Sequence, residues 1–149
     1  MGKSSVIVCF DVRSEKFSFI NLDKDMERYD PFCNGYACGY LTLFNYKGKL
    51  GIRQNTRKDN IPLVLWVIED AQRYKWFKQA YELPPLIRRK WFVGMTGAGE
   101  IVWYWPCCFY LYNLERETCT RVNIQGFEEL EHRRTTHIFV DYVENLKLM

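Results

Sequence analysis

Two glycine turns, 51 positions apart, set the frame of this chain. Leu41-Thr42-Leu43-Phe44-Asn45-Tyr46 runs into Lys47-Gly48, and Lys49-Leu50-Gly51-Ile52 returns. Trp91-Phe92-Val93-Gly94-Met95 runs into Thr96-Gly97-Ala98-Gly99, and Glu100-Ile101-Val102-Trp103 returns. Glycine supplies the positive φ that tight antiparallel turns demand. A second kind of hairpin turns on a polar segment between apolar runs. Val6 to Phe10 leads into residues 11–16 and returns as Phe17 to Ile20; Phe109 to Tyr112 leads into residues 113–118 and returns as Cys119 to Val122. Asp11 and Asn113 stand at equivalent places, twice the glycine interval apart, where a side-chain oxygen can accept a backbone N–H and fix the turn. Between them Leu65 to Ile68 and Trp76 to Gln79 flank a longer turn, for which one turn of helix is expected over residues 69–73.

The two kinds alternate, and helical periodicity is nearly absent. Four short strands recurring at roughly 50 residues is the pattern of a kelch-type propeller blade, and the chain holds about two and a half to three such units. The expected fold is therefore all-β: a partial, kelch-like β-propeller of antiparallel hairpins, with a β-sandwich of stacked hairpins as the alternative. Closed propellers use about 4–8 blades. The chain is thus expected to expose sheet edges, to be part of a larger whole, or to pair with a second copy. Composition agrees with a packed β domain. Of 149 residues 48% are hydrophobic and 26% charged, and 17% are aromatic, which suits sheet surfaces. No low-complexity linker divides the chain, so residues 1–149 read as a single domain. Residues 126–134 read as an exposed polar loop or short helix, and residues 135–142 as β-rich.

Several function classes fall away. The longest uncharged apolar stretch, residues 101–112, is broken by Pro106 and is shorter than the ~20 residues of a spanning helix. The N-terminal residues have no apolar signal core, Val6 stands where a myristoylation site wants Ser or Thr, and no Asn-x-Ser/Thr acceptor occurs. A cytoplasmic or nuclear protein without a membrane segment is expected. The six cysteines, Cys9, Cys33, Cys38, Cys107, Cys108 and Cys119, contain no C-x-x-C pair and read as free, mostly buried thiols. Cys33 and Cys38 with His132 and His137 are spaced awkwardly for zinc, so no metal is expected. No Gly-x-Ser-x-Gly elbow is present, and Glu69-Asp70 and Glu128-Glu129 read as solvated neighbours rather than an acid/base pair. The glycines from Gly94 to Gly99 precede a strand where a phosphate loop precedes a helix. No cofactor is implied, and the chain reads as non-enzymatic.

Binding residues are a different matter. Arg88-Arg89-Lys90-Trp91 and His132-Arg133-Arg134 are basic clusters with aromatics near them. A net charge of only +3 favours solvated loops over a nucleic-acid surface, which stands as the second choice. Trp103-Tyr104-Trp105-Pro106 is a dense aromatic run at the end of a glycine hairpin. Trp, Tyr and Arg are the usual anchors of protein interfaces. Trp103, Tyr104, Trp105, Arg88 and Arg89 are therefore the candidate partner-binding residues. The competing reading packs Trp103 and Trp105 on one strand face as core, and takes Trp91 as the start of a core strand.

The segments Val8-Cys9-Phe10-Asp11-Val12-Arg13-Ser14-Glu15-Lys16-Phe17, Asn45-Tyr46-Lys47-Gly48-Lys49-Leu50-Gly51, Phe92-Val93-Gly94-Met95-Thr96-Gly97-Ala98-Gly99-Glu100-Ile101-Val102 and Tyr112-Asn113-Leu114-Glu115-Arg116 resemble the F-box associated domain of plant F-box proteins, type 3. The closing Asp141-Tyr142-Val143-Glu144-Asn145-Leu146-Lys147-Leu148-Met149 resembles it too. The resemblance implies a module that binds the protein to be ubiquitinated, while an F-box docks on the Skp1 adaptor of an SCF-type ligase. No F-box segment precedes Val6, so the chain is expected to correspond to the C-terminal two-thirds of the module. On that expectation it binds no Skp1 by itself and competes with full-length relatives for a protein target. A half-propeller that dimerises is the structural alternative.

Overall fold

The computed structural model of the chain describes residues 6–26, 41–55, 62–126 and 138–140. Among the described residues ten strands form three antiparallel sheets, and the one helical element is a 3-10 turn at Pro85–Ile87. Strands β1 (Val6–Asp11) and β2 (Lys16–Asn21) make a two-stranded ribbon. Strands β3 (Leu41–Tyr46), β4 (Lys49–Gln54), β5 (Leu63–Asp70) and β6 (Lys75–Tyr81) follow one another across a four-stranded sheet. So do β7 (Trp91–Met95), β8 (Glu100–Trp105), β9 (Cys108–Asn113) and β10 (Thr118–Asn123). This is the strand content of a partial β-propeller, two up-and-down blades and half of a third. The chain divides into two compact units, one of Met1–Phe44 with Lys49–Leu83 and the other of Asn45–Gly48 with Pro84–Met149.

The turns explain the alternation seen in the sequence. At β3–β4 the Gly48 N–H donates to Asn45 Oδ1 at 2.7 Å, and Gly48 takes φ +83°. At β7–β8 the Gly99 N–H donates to Thr96 O at 2.9 Å, and Gly99 also takes φ +83°. The polar turns share another device. Asp11 Oδ1 accepts the Arg13 N–H at 2.9 Å, and Asn113 Oδ1 accepts the N–H groups of Glu115 and Arg116 at 3.0 and 2.9 Å. The β5–β6 turn is of this same kind and not the expected helical turn over residues 69–73. Asp70 Oδ1 accepts the N–H groups of Gln72 and Arg73. In all three the fourth residue after the Asx is left-handed: Glu15 at φ 54°, Tyr74 at 53° and Glu117 at 53°. A short polar side chain that caps its own backbone outcompetes a helix too short to nucleate.

Each four-stranded sheet thus opens with a glycine hairpin and closes with an Asx hairpin, and the β1–β2 ribbon is of the closing type. In the first unit β5 lies between β4 and β6, and its run from Leu63 to Ile68 is buried on both faces. Met26, Ile52, Val64 and Trp66 form its core cluster, with Ile7, Leu22, Leu41 and Trp76 packed against it. The two tryptophans of this unit have partners for their N–H groups. Trp66 Nε1 donates to Gln54 Oε1 at 2.9 Å, and Trp76 Nε1 donates to the Asn21 carbonyl at 3.1 Å. In the second unit Ile101, Trp103, Cys108, Tyr110 and Tyr112 are buried on β8 and β9.

Three further expectations change. Trp91 begins a strand but is 58% exposed, because it is the first residue of an edge strand and has one neighbouring strand. Of the described cysteines, all free, only Cys108 is buried; Cys9, Cys107 and Cys119 are half-buried. Residues 138–140 lie in no strand. Cys33, Cys38, His132 and His137 lie outside the described residues, as do the polar segment from residue 127 onward and the closing segment from residue 141.

Candidate functional site

Four chain segments converge at one end of the β7–β10 sheet: the start of β7, the end of β8, the start of β9 and the end of β10. Local chemistry fixes how each arrives. Pro84 and Pro85 cannot continue a ladder and favour the extended-to-helical start of a short turn. The Ile87 N–H donates to Pro84 O at 3.1 Å, the Lys90 N–H donates to Ile87 O at 3.2 Å, and the side chain of Ile87 is wholly buried. Arg88 caps that turn half-buried, Arg89 is exposed, and Lys90 leads into Trp91. On the far side Cys107 takes φ 71° in the β8–β9 turn, and its carbonyl accepts the Ile124 N–H at 3.0 Å, tying down the chain beyond β10.

Strand register then builds an aromatic row across the whole sheet. Trp91 stands opposite Tyr104, Tyr104 opposite Phe109, and Phe109 opposite Val122. Trp91 stacks on Tyr104 at 5.6 Å with 23° between ring planes, and Tyr104 meets Phe109 at 5.7 Å. Trp91 and Val122, at the two edges, are the most exposed members. Trp105, 41% exposed, closes the row around the end of the sheet by stacking on Trp91 at 5.8 Å. Aromatic pairs in this geometry are worth about 0.5–1.5 kcal/mol beyond their area, so the row is a preformed ledge.

The opposite face carries cations over rings. Lys90 Nζ lies 4.6 Å from the Trp105 ring centre and 4.7 Å from that of Tyr110, and the Arg121 guanidinium is 6.0 Å from Tyr110. Burial pushes the Tyr110 phenol above its ordinary pKa, aided by a hydrogen bond with Cys108 and opposed by Arg121. Burial likewise raises Tyr112 and the Cys119 thiol, the latter against the pull of Lys90. Cys119 is therefore held as a thiol, the form that is neither nucleophile nor metal ligand. Among the described residues no cluster of three or more His, Cys, Asp or Glu is placed to hold a metal ion.

Among the described residues of this sheet the carboxylates are one-sided. Residues 83–99 hold Arg88, Arg89 and Lys90 and no carboxylate; residues 101–114 hold no charge; residues 118–126 hold only Arg121. The acids Glu100, Glu115 and Glu117 all lie at the other end of this sheet, by the β7–β8 and β9–β10 turns.

The candidate residues therefore separate. Trp105, Tyr104, Arg88 and Arg89 come together at this end. Trp103 does not: it is wholly buried, edge-on to Phe92 at 5.6 Å, and packs the sheet. Sequence reasoning named Lys90 and Trp91 only as part of a basic cluster, outside the partner-binding set, and missed Phe109, Val122 and Arg121. The signal for Trp91 was its place directly after three cations, at the first position of a strand. The other positions needed the register. Among the described residues no helix is long and apolar enough to cross a membrane.

Comparison with known sequences places this geometry in a family. The sequence model of the F-box associated beta propeller domain matches residues 1–143. The Arabidopsis thaliana F-box protein At1g53790 is 44% identical over 99% of the chain, which spans 34% of that protein. Two further Arabidopsis thaliana F-box proteins, At1g47340 and At1g31080, are each 38% identical, over 91% and 96% of the chain, spanning 30% and 41% of their lengths. The chain thus covers about a third of these relatives. No solved structure matches it.

Proposed function

The chain belongs to the F-box associated β-propeller family, and we propose on that premise that it is a non-enzymatic module that grips a protein target, as the substrate-recognition part of an SCF-type ubiquitin ligase does. In such a ligase the Skp1 connection is made by an F-box, and the target is held by blades like these. The observation that carries the reading is the apolar row Trp91, Tyr104, Phe109 and Val122, exposed at its two edges and half-buried between them, extended by Trp105 with Arg88 and Arg89 nearby in the chain. Large rigid aromatics beside arginine give contact area at low entropy cost, which is why interfaces concentrate them. The buried neighbours Trp103 and Tyr110 hold the row from behind, so it presents one shape.

The test compares the chain with its Trp105→Ala variant. Both are used as bait in plant extract after their melting temperatures are matched. Proteins retained by the first and lost by the second support the reading. An unchanged set of bound proteins from an intact variant overturns it, as does a collapse of the melting temperature, which would make Trp105 a packing residue.

A further inference from the structure

We propose that Lys47, Gly99 and Glu115 form a clasp that fastens the β3–β4 turn to the turns of the β7–β10 sheet, and that Lys47 is kept for this contact rather than for the turn in which it stands. The turn gives the first argument. Lys47 at φ 48° and Gly48 at φ 83° are the two central residues of a two-residue hairpin loop, the pattern of a type I′ turn. Such turns favour Asn, Asp or Gly at the first central position, because other side chains crowd a left-handed backbone. Asn45 already supplies the capping oxygen, which accepts the Gly48 N–H at 2.7 Å. A lysine at position 47 therefore adds nothing to the loop and carries a conformational cost, which marks it for a role elsewhere.

That role lies in its side chain. The segment Asn45–Gly48 belongs to the same compact unit as the β7–β10 sheet. Lys47 Nζ donates to Glu115 Oε1, in the β9–β10 turn, at 3.2 Å. The same side chain lies over Gly99 in the β7–β8 turn. A Cβ on Gly99 would stand 2.8 Å from Lys47 Cε and 3.4 Å from Nζ. At Gly48, which has the same φ of +83°, a Cβ would meet nothing within 4 Å. The two turn glycines are thus not equivalent. Gly48 is needed for its backbone conformation alone, whereas Gly99 also leaves open the track along which Lys47 reaches its acid. Both charged groups are open to solvent, so the ion pair is of the modest, salt-screened kind. The clasp sits at the end of the sheet opposite the aromatic row, and steadies the turns without entering the candidate binding surface.

The experiment compares the full chain with Lys47→Asn, Glu115→Gln and the double variant. Solvent exchange of the Gly99 and Glu115 amides is followed by NMR and corrected for the intrinsic rate of each sequence. Asn suits the first central position of a type I′ turn, so a residue that served only the turn would leave these amides unchanged or slower in Lys47→Asn. The clasp gives the reverse: both amides exchange about two- to fivefold faster although the turn has become easier to form. Glu115→Gln should do the same, and the double variant should do no more than either single change. In ~1 M salt the unmodified chain should exchange like the variants. Gly99→Ala strains its own turn, so it is made both in the unmodified chain and in Lys47→Asn. The Glu115 amide should respond to it in the first and not in the second, where no lysine is left to displace. Amides unmoved in Lys47→Asn overturn the clasp, as do additive effects in the double variant. A Glu115 amide that responds to Gly99→Ala equally with and without Lys47 overturns it too.

Discussion

The hairpins β1–β2 and β9–β10 are built on the same turn and end in opposite environments. Asp11 and Asn113 cap their turns alike, and Glu15 and Glu117 take the same left-handed conformation. On β9 the side chains of Cys108, Tyr110 and Tyr112 are buried. On the ribbon, Val6, Val8, Phe10, Phe17 and Phe19 share one face and all remain exposed, with Phe10 and Phe17 only 4.7 Å apart. The difference is in the neighbours. β9 is paired on both sides, by β8 and β10, whereas β1 pairs with β2 alone among the described strands. A turn is decided by the few residues within it, and burial by the strands that flank it. A two-stranded ribbon is marginal in isolation, and its apolar face is a surface that a further sheet layer would cover.

The comparison can be broken most decisively by core truncation. Trp103→Ala should cost about 3–5 kcal/mol, because it empties a wholly buried site. Phe19→Ala in the ribbon should cost less than about 1 kcal/mol, because its ring is already in water. Urea unfolding of both variants checks this, and equal losses would show that the ribbon is covered in solution. Next in size is the turn itself. Asn113→Ala removes the acceptor of two turn N–H groups in a hairpin that is paired into the four-stranded sheet, and should lose about 1 kcal/mol. Asp11→Ala, the same change in the exposed ribbon, should leave global unfolding unmoved and speed amide exchange only within β1 and β2.

The smallest effects are in pH, and they run in opposite directions. Burial raises Tyr110, Tyr112 and Cys119, so the folded sheet holds these protons more tightly than the unfolded chain does. Their contribution is complete below the ordinary thiol and phenol values, 9.0 and 10.0, and is lost as pH rises through the raised ones. Asp11 is lowered, first by the Ser14 hydroxyl and then by the Arg13 N–H. Its contribution is present above 3.8 and is lost as pH falls through the lowered value. Alkaline melting, followed by tyrosinate absorbance, should therefore weaken the β7–β10 sheet. Acid should loosen the β1–β2 turn, read from the amide signals of Arg13 and Ser14. Ribbon and sheet responding together at either extreme would contradict the comparison.

Much of the architecture was legible in the residues. Gly48 and Gly99 marked the glycine turns, Asp11 and Asn113 the polar ones, and their alternation gave the four-stranded unit. Asp70 was missed because its turn breaks the regular interval, although its side chain does the same work as Asp11 and Asn113. Half of the site was legible too. Trp105, Tyr104, Arg88 and Arg89 were visible as a run of interface-type residues, but the run also contained Trp103, which is buried. Alternation puts Trp103 and Trp105 on one side of β8, and it does not tell the middle of a strand from its end.

What the chain determined by itself is the set of local decisions: where it turns, which residues alternate along each strand, and that carboxylates are missing from residues 83–99 and 101–114. Those depend on side chains bonding to backbone a few residues away, and such bonds are written in the order of the amino acids. Only the tertiary structure decided that Trp91, Tyr104, Phe109 and Val122 form one row and that Trp103 is hidden behind it. Row membership depends on three successive strand registers that together join residues 31 positions apart, and exposure depends on how many strands lie alongside. Neither quantity is a property of any short stretch of chain.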